Sequence, residues 1–210
     1  MNSFKKMNDK YLKETYVPDV YQESIFNIDY DRLKNAGVKL ISFDIDDTLE
    51  PIENSEPSEE TANLFEKLKL NGFELYIVSN ANFDRVSLFS EKLGVEGVAR
   101  AEKPYTTGFT KVQNMYFEKT GSRINPNEMA HIGNSITKDV VSGNKYGIVT
   151  CLVRDMGLLP HFFRIVNPID TKGQKVRRVL FKRGIWRKHH LKAPKDQYYQ
   201  LNETQIKYDK

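Results

Sequence analysis

Cys151 is the only cysteine among the 210 residues, so an internal disulfide and a cysteine-based zinc framework are both excluded. Long apolar runs are missing as well: no stretch approaches the ~18 consecutive apolar residues of a membrane-spanning helix. Met1 to Lys13 is polar and lacks the apolar core of a secretory signal, so the chain reads as cytoplasmic. Internal repeats and low-complexity tracts are absent. Histidine is scarce, with four in the chain and none at metal-pair spacing. His131 falls within an apolar run and reads as a core or supporting residue, while His189 and His190 lie in a basic tail. Ser79 has no histidine near it in sequence, which leaves a serine-hydrolase reading without support.

The rest of the composition describes a soluble globular chain: 39% hydrophobic and 29% charged residues, with a mean hydropathy of -0.59. Its length suits one domain with tails. Net charge is +4, but it is unevenly spread: the segment from Lys172 to Lys195 carries ten Lys or Arg residues and no acid. The remainder holds 22 basic against 28 acidic residues, an acidic body with a basic C-terminal arm.

Short apolar runs alternate with helix-length segments. Strands are expected at 39–43, 73–78, 97–100, 127–132 and 148–153. Between them, helices are expected from the Ser58 cap to about Leu70, across Phe83–Leu93 up to Gly94, across Thr107–Thr120, and across Thr137–Lys145. Repeating strand–helix units predict an α/β fold, a three-layer Rossmann-like parallel sheet of about five strands. Residues 1–15 are expected to be loosely ordered, 16–160 to form the domain, and 161–210 to form the basic extension.

In such sheets the ligand sits at the carboxyl ends of the strands, and four of those ends carry chemistry. The first reads Asp44-Ile45-Asp46-Asp47-Thr48, three carboxylates within four residues that repel one another until something neutralises them. A hard divalent cation with oxygen ligands does so. An EF-hand also opens Asp-x-Asp, but the glycine that its sixth position needs is Leu49 here. The second end, Val78-Ser79-Asn80, offers a hydroxyl and backbone N–H groups to a phosphate. The third carries Lys103-Pro104 and the fourth Gly133-Asn134-Ser135-Ile136-Thr137-Lys138-Asp139. Each of the last three is weak when taken singly. A turn, a solvated lysine or a carboxylate favouring a helix dipole would account for any one of them.

Taken in order, Asp44, Asp46 and Thr48, then Ser79, Lys103 and Asp139 resemble the motifs of the haloacid dehalogenase (HAD) phosphohydrolases over about residues 38–153. The segment from Tyr16 to Phe26, ahead of Leu33–Gly37, is similar to that of the capless YqeG group, relatives of phosphatidylglycerophosphate phosphatases. The resemblance implies Mg²⁺ as cofactor, Asp44 as nucleophile and Asp46 as general acid–base. It also implies Lys103 as the balancing cation and Thr48, Ser79 and Asn80 around the phosphate. The metal would lie among Asp44, Asp46, Asp139 and Asn134. Asn134 departs from the pattern, standing where the group usually has an acid, and removes one negative charge.

Between Thr48 and Ser58, and again between Asn80 and Lys103, there is no room for a cap domain. The expected site is therefore open and suits a large or surface-presented substrate. A phosphatidylglycerophosphate phosphatase of phospholipid metabolism is the leading reading. Its alternatives are a phosphatase for phosphoprotein or a soluble metabolite, and a weakly active protein binding RNA or the ribosome. Basic residues among Val176, Leu180, Phe181, Ile185 and Trp186 make residues 172–195 a candidate for peripheral contact with an anionic membrane. Nucleic acid is the other partner that this arm fits. The arm's apolar positions fall on no single helical stripe, and Gly184 interrupts it.

Overall fold

The computed structural model describes residues 3–154 and 171–186. Its centre is a six-stranded, all-parallel sheet in the order β1-β6-β5-β2-β3-β4. The strands are β1 (Val20–Gln22), β2 (Leu40–Phe43), β3 (Glu74–Val78), β4 (Glu96–Val98), β5 (Met129–Gly133) and β6 (Val149–Val153). Five of them match the expected runs. The sixth, β1, is a three-residue edge strand that pairs with β6 through Val20 and Cys151. Three residues are too few to show a strand period, so only the pairing reveals it.

Every residue of β2, β5 and β6 is buried, as both-face coverage requires of a parallel sheet. On one face α2 (Tyr30–Asn35), α3 (Glu59–Leu70) and α4 (Phe83–Leu93) place Leu33, Phe65 and Phe89 against Ile41, Phe43, Ile77 and Ile132. On the other, α5 (Thr107–Thr120) places Phe109 and Val112 against Leu40, Tyr76, Val78 and Met129. The expected caps form where the sequence puts them. The Ser58 side chain accepts from the Thr61 N–H, and Gly94 closes α4 at φ 59°. The helix expected from Thr137 begins instead as one π-helical turn, Ile136–Val140, and continues as α6 (Val141–Tyr146).

The chain ends described here are docked. Helix α1 (Asp9–Tyr16), in the stretch expected to be loosely ordered, buries Leu12 completely. Helix α7 (Thr171–Lys182) buries Gly173, Val176 and Leu180, a stripe at i, i+3 and i+7. The sequence pattern looked irregular because the helix stops before Gly184, at φ 66°, and Ile185 turns back to donate its N–H to the Leu180 carbonyl at 3.0 Å. The arm is thus two segments with different periods. The Arg177 guanidinium lies over the rings of Tyr21 (4.6 Å), Trp186 (5.0 Å) and Phe181 (5.7 Å). Arg183 bonds the Met7 carbonyl and Asp9 at 2.7 and 2.9 Å. The rest of the expected extension, residues 161–170 and 187–210, lies outside the described residues.

Trp186 is 1% exposed, and truncating a buried Trp costs about 3–5 kcal/mol. Trp186→Ala is expected to lower stability by about that amount. Urea unfolding followed by circular dichroism measures it, and an unchanged midpoint would show that the Trp186 contact adds nothing to the domain.

Candidate active site

The strand order reverses across the sheet between β2 and β5, because β2 leads to β3 on one side and β5 leads to β6 on the other. At such a switch point the strand ends leave a crevice, and the charged residues gather there. Asp44 follows β2 with its N–H bound to the Ile132 carbonyl of β5 at 2.9 Å. Lys103, 4% exposed, reaches beneath it. Its Nζ stands 3.0 Å from Asp44 Oδ1, 2.6 Å from Asp139 Oδ1 and 2.8 Å from the Val78 carbonyl. An ammonium has three N–H groups, and three oxygens surround this one. Burial alone would lower the Lys103 pKa, but the two carboxylates outweigh it and raise the value.

Asp139 has no spare oxygen. Its Oδ1 takes Lys103 and the His131 Nε2–H at 3.1 Å, and its Oδ2 takes the Ser135 N–H at 2.9 Å. Burial would raise its pKa; Lys103 and His131 together drive it below the usual carboxylate range. Burial keeps His131 neutral by lowering its pKa. A neutral ring donating from Nε2 must accept at Nδ1, so the Ser42 hydroxyl donates to Nδ1 at 2.9 Å rather than to the Ala130 carbonyl at 3.2 Å. Ser42 and His131 are register partners on neighbouring strands, and this pairing sets the relay. Gly133 makes room for it: a Cβ there would lie 2.2 Å from Asp139 Cγ.

Asp46 meets a residue that no sequence signal marked. Arg85 Nε pairs with Asp46 Oδ1 at 2.6 Å, and Arg85 Nη1 bonds the Asn54 carbonyl at 2.8 Å. Burial, with the Asp44 charge added, raises the Asp46 pKa in spite of Arg85. Asp47 at φ 56° and Glu102 at φ 58° adopt left-handed backbone beside Asp46 and Lys103. That conformation is uncommon outside glycine and concentrates at functional sites. Asn80 uses its side chain to clamp Lys103, accepting from its N–H at 2.8 Å and donating to its carbonyl at 3.0 Å. The Asn80 N–H donates to no carbonyl among the described residues. Ser79 is buried, with its oxygen accepting from the Ala81 N–H at 3.2 Å. Thr48 is fully buried, and its hydroxyl has no partner among the described residues.

Three carboxylates and two cations leave one uncompensated negative charge in this crevice. No group of three or more His, Cys, Asp or Glu among the described residues is arranged to hold a metal by those side chains alone, so a metal donor set here would include main-chain or amide oxygens. Asp44 Oδ1 is buried and accepts no well-aligned hydrogen bond, and the half-buried Asn134 follows β5 at the same crevice. A carboxylate oxygen held only by its ion pair with Lys103, with carbonyl and amide neighbours, fits a hard cation that keeps several waters, as Mg²⁺ does.

Glu50 was not anticipated from the sequence either. It is buried and fixes the loop after Asp46, accepting from the Ser58 N–H and Thr61 hydroxyl at 2.7 Å and from Asn54 at 3.0 Å. Its signal existed in hindsight only as an acid eight residues before a helix cap.

An acid pair just after the central strand, a hydroxyl after the next strand and a buried lysine tied to a further acid define a HAD-type phosphatase. The chain belongs to the mitochondrial PGP phosphatase family, whose model matches residues 4–157. It is 36% identical over 143 residues to the probable phosphatase YqeG of Bacillus subtilis, covering 68% of this chain and 79% of that protein. Solved structures align more loosely. A 3-deoxy-D-manno-octulosonate 8-phosphate phosphatase from Moraxella catarrhalis is 16% identical over 75% of this chain and 99% of its own, with a TM-score of 0.43. A HAD subfamily III A hydrolase from Legionella pneumophila is 15% identical over 71% and 93%, with a TM-score of 0.41.

Two outcomes follow from these contacts. Gly133→Ala pushes Asp139 off its seat and is expected to cost about 1–3 kcal/mol, the usual price of overpacking, read by urea unfolding. Glu50 has its pKa lowered: burial would raise it, but the hydrogen bonds from Ser58, Thr61 and Asn54 prevail. Its stabilising contribution is therefore complete above the unfolded-state value near ~4.3 and is lost as pH falls through the depressed folded value. Glu50→Gln should flatten the acid limb of stability against pH, whereas an unaltered limb would contradict the network's role.

Proposed function

We propose that this protein is a Mg²⁺-dependent phosphomonoester hydrolase working through an aspartyl-phosphate on Asp44, with phosphatidylglycerophosphate as substrate. The observation that carries the mechanism is the Lys103 ammonium between Asp44 and Asp139, at 3.0 and 2.6 Å. It fixes a carboxylate at the switch point while removing part of the charge that would repel a phosphate dianion.

Asp44 attacks phosphorus; a P–O bond to its carboxylate forms as the bond to the leaving oxygen breaks. Asp46 gives its proton to that oxygen, and burial, which raises its pKa, makes the proton-bearing form more accessible than in a free Asp. Asp46 then takes a proton from water, whose oxygen bonds phosphorus as the Asp44–phosphorus bond breaks, releasing inorganic phosphate. The Ser79 hydroxyl and the Asn80 N–H hold phosphoryl oxygens, and Thr48 braces the loop. The Asp44 carboxylate, the Asp46 main-chain carbonyl and the Asn134 amide oxygen would hold the metal. When bound, Mg²⁺ neutralises charge between nucleophile and phosphate. Asp139, with both oxygens engaged, serves the site through Lys103.

The family supports the lipid substrate, as does the open crevice: among the described residues only a loop joins β2 to α3, and only α4 and β4 lie between Asn80 and Lys103. Helix α7 adds the exposed side chains of Lys172, Lys175, Arg178 and Lys182. Near an anionic membrane each contributes about 1 kcal/mol. The part of the basic arm from 187 to 195 lies outside the described residues. No described helix is long and apolar enough to cross a membrane.

Asp44→Asn should abolish turnover, and Asp46→Asn should slow it ~10²-fold or more while phosphate binding persists. Mg²⁺-dependent phosphate release from a panel of lipid phosphate, phosphopeptides, sugar phosphates and nucleotides tests the substrate. Release from the lipid alone fits the reading; release from a soluble phosphate or phosphopeptide alone reassigns the substrate. Silence across the panel, with salt-sensitive binding to RNA, would replace it by the binding-protein alternative.

A further inference from the structure

We propose that Arg85 is the positioning residue for the acid–base step, holding the Asp46 carboxyl by one oxygen so that the other is left to exchange the proton; this rests on Asp46 being the acid–base group. With no cap domain over the crevice among the described residues, Asp46 would otherwise be a partly exposed rotor on a loop. Its side chain is 28% exposed, it precedes the left-handed Asp47 at φ 56°, and among the described residues Arg85 is the hydrogen-bond partner of its carboxyl. A freely rotating carboxyl loses most of the benefit of proximity, since a misplacement of about 1 Å can cost ~10²-fold in rate.

Arg85 is itself held from four directions. Its main-chain N–H donates to the Asn82 side chain that caps α4, at 3.0 Å. The guanidinium lies 5.0 Å from the centre of the Phe89 ring one turn further along α4. Its Nε spans to Asp46 Oδ1 at 2.6 Å and its Nη1 to the Asn54 carbonyl at 2.8 Å. Asn54 is tied to Glu50 at 3.0 Å, and Glu50 to the start of α3 through the Ser58 N–H at 2.7 Å. An unbroken set of contacts therefore runs from Asp46 through α4 to the root of α3. The fork geometry matters: one planar guanidinium reaches a carboxylate and a carbonyl on two separate segments, which a lysine ammonium on its flexible stem does not reproduce.

The test is steady-state kinetics with Mg²⁺ and the phosphomonoester that the wild-type protein turns over fastest. Wild type, Arg85→Ala, Arg85→Lys, Asp46→Asn and the double variant Arg85→Ala/Asp46→Asn are compared, with beryllium fluoride binding as a readout of the phosphate pocket. Arg85→Ala is expected to lower kcat ~10–10²-fold with KM and beryllium fluoride affinity nearly unchanged. Arg85→Lys, which keeps the charge and the stem on Phe89, should recover little. In the Asp46→Asn background, Arg85→Ala should cost nothing further, because the residue acts through Asp46. A raised KM with kcat intact, or a loss that adds fully to that of Asp46→Asn, would overturn the proposal. If Asp46→Asn itself keeps full activity, it is the acid–base reading that fails, and the two failures are told apart by that variant alone.

Discussion

One buried ammonium organises this protein. Removing an ion from water costs several kcal/mol even after relaxation, so Lys103 is tolerated in the interior only because Asp44, Asp139 and the Val78 carbonyl surround it. The dependence is mutual: without Lys103, two carboxylates at adjoining strand ends would face each other in a low dielectric. The interaction thus joins β2, β3, β5 and the connection after β4 at a single point. It also leaves Asp44 Oδ1 buried and short of a well-aligned hydrogen bond, a condition that an incoming cation relieves.

Around that point lie two supports of different chemistry. Beneath it, Ser42, His131 and Asp139 form a neutral-to-anionic relay inside the sheet layers, seated on Gly133. Beside it, Glu50, Asn54 and Arg85 tie the loop carrying Asp46 to α3 and α4. The first is rigid because its members are on paired strands or packed against them. The second stands nearer to solvent and depends on charge-assisted bonds, which are the stronger kind. Helix α7 and Trp186 pack on Ile136 and Val140, within the turn that presents Asp139. Residues 171–186 of the basic arm are thereby linked to the crevice by ordinary apolar packing.

Much of the architecture was readable in advance. Ser58 and Gly94 mark real helix ends, because capping depends on a few neighbouring residues. Apolar runs gave five of the six strands, since parallel strands are buried on both faces and look it. What stayed hidden depends on distance in the chain. The edge strand β1 exists only through its pairing with β6, and the stripe on α7 emerges only once Gly184 ends the helix. At the site, Asp44, Asp46, Ser79, Lys103 and Asp139 were recognisable from their order at strand ends. Arg85 and Glu50 were not, because an arginine inside an amphipathic helix and a glutamate in a loop are ordinary surface residues until their partners are known.

The sequence by itself settled which residue types stand at the carboxyl end of each strand, where helices start and stop, and how the positive charge is distributed. Those properties are local: they depend on periodicity, capping and composition over a few residues. The tertiary structure alone decided which acid Lys103 joins to which, that Asp139 spends both oxygens inside the protein, and that Asp46 is held by a side chain 39 residues away. Such pairings are set by the order in which the strands assemble, and an ion pair is worth forming in the interior only where that assembly excludes water.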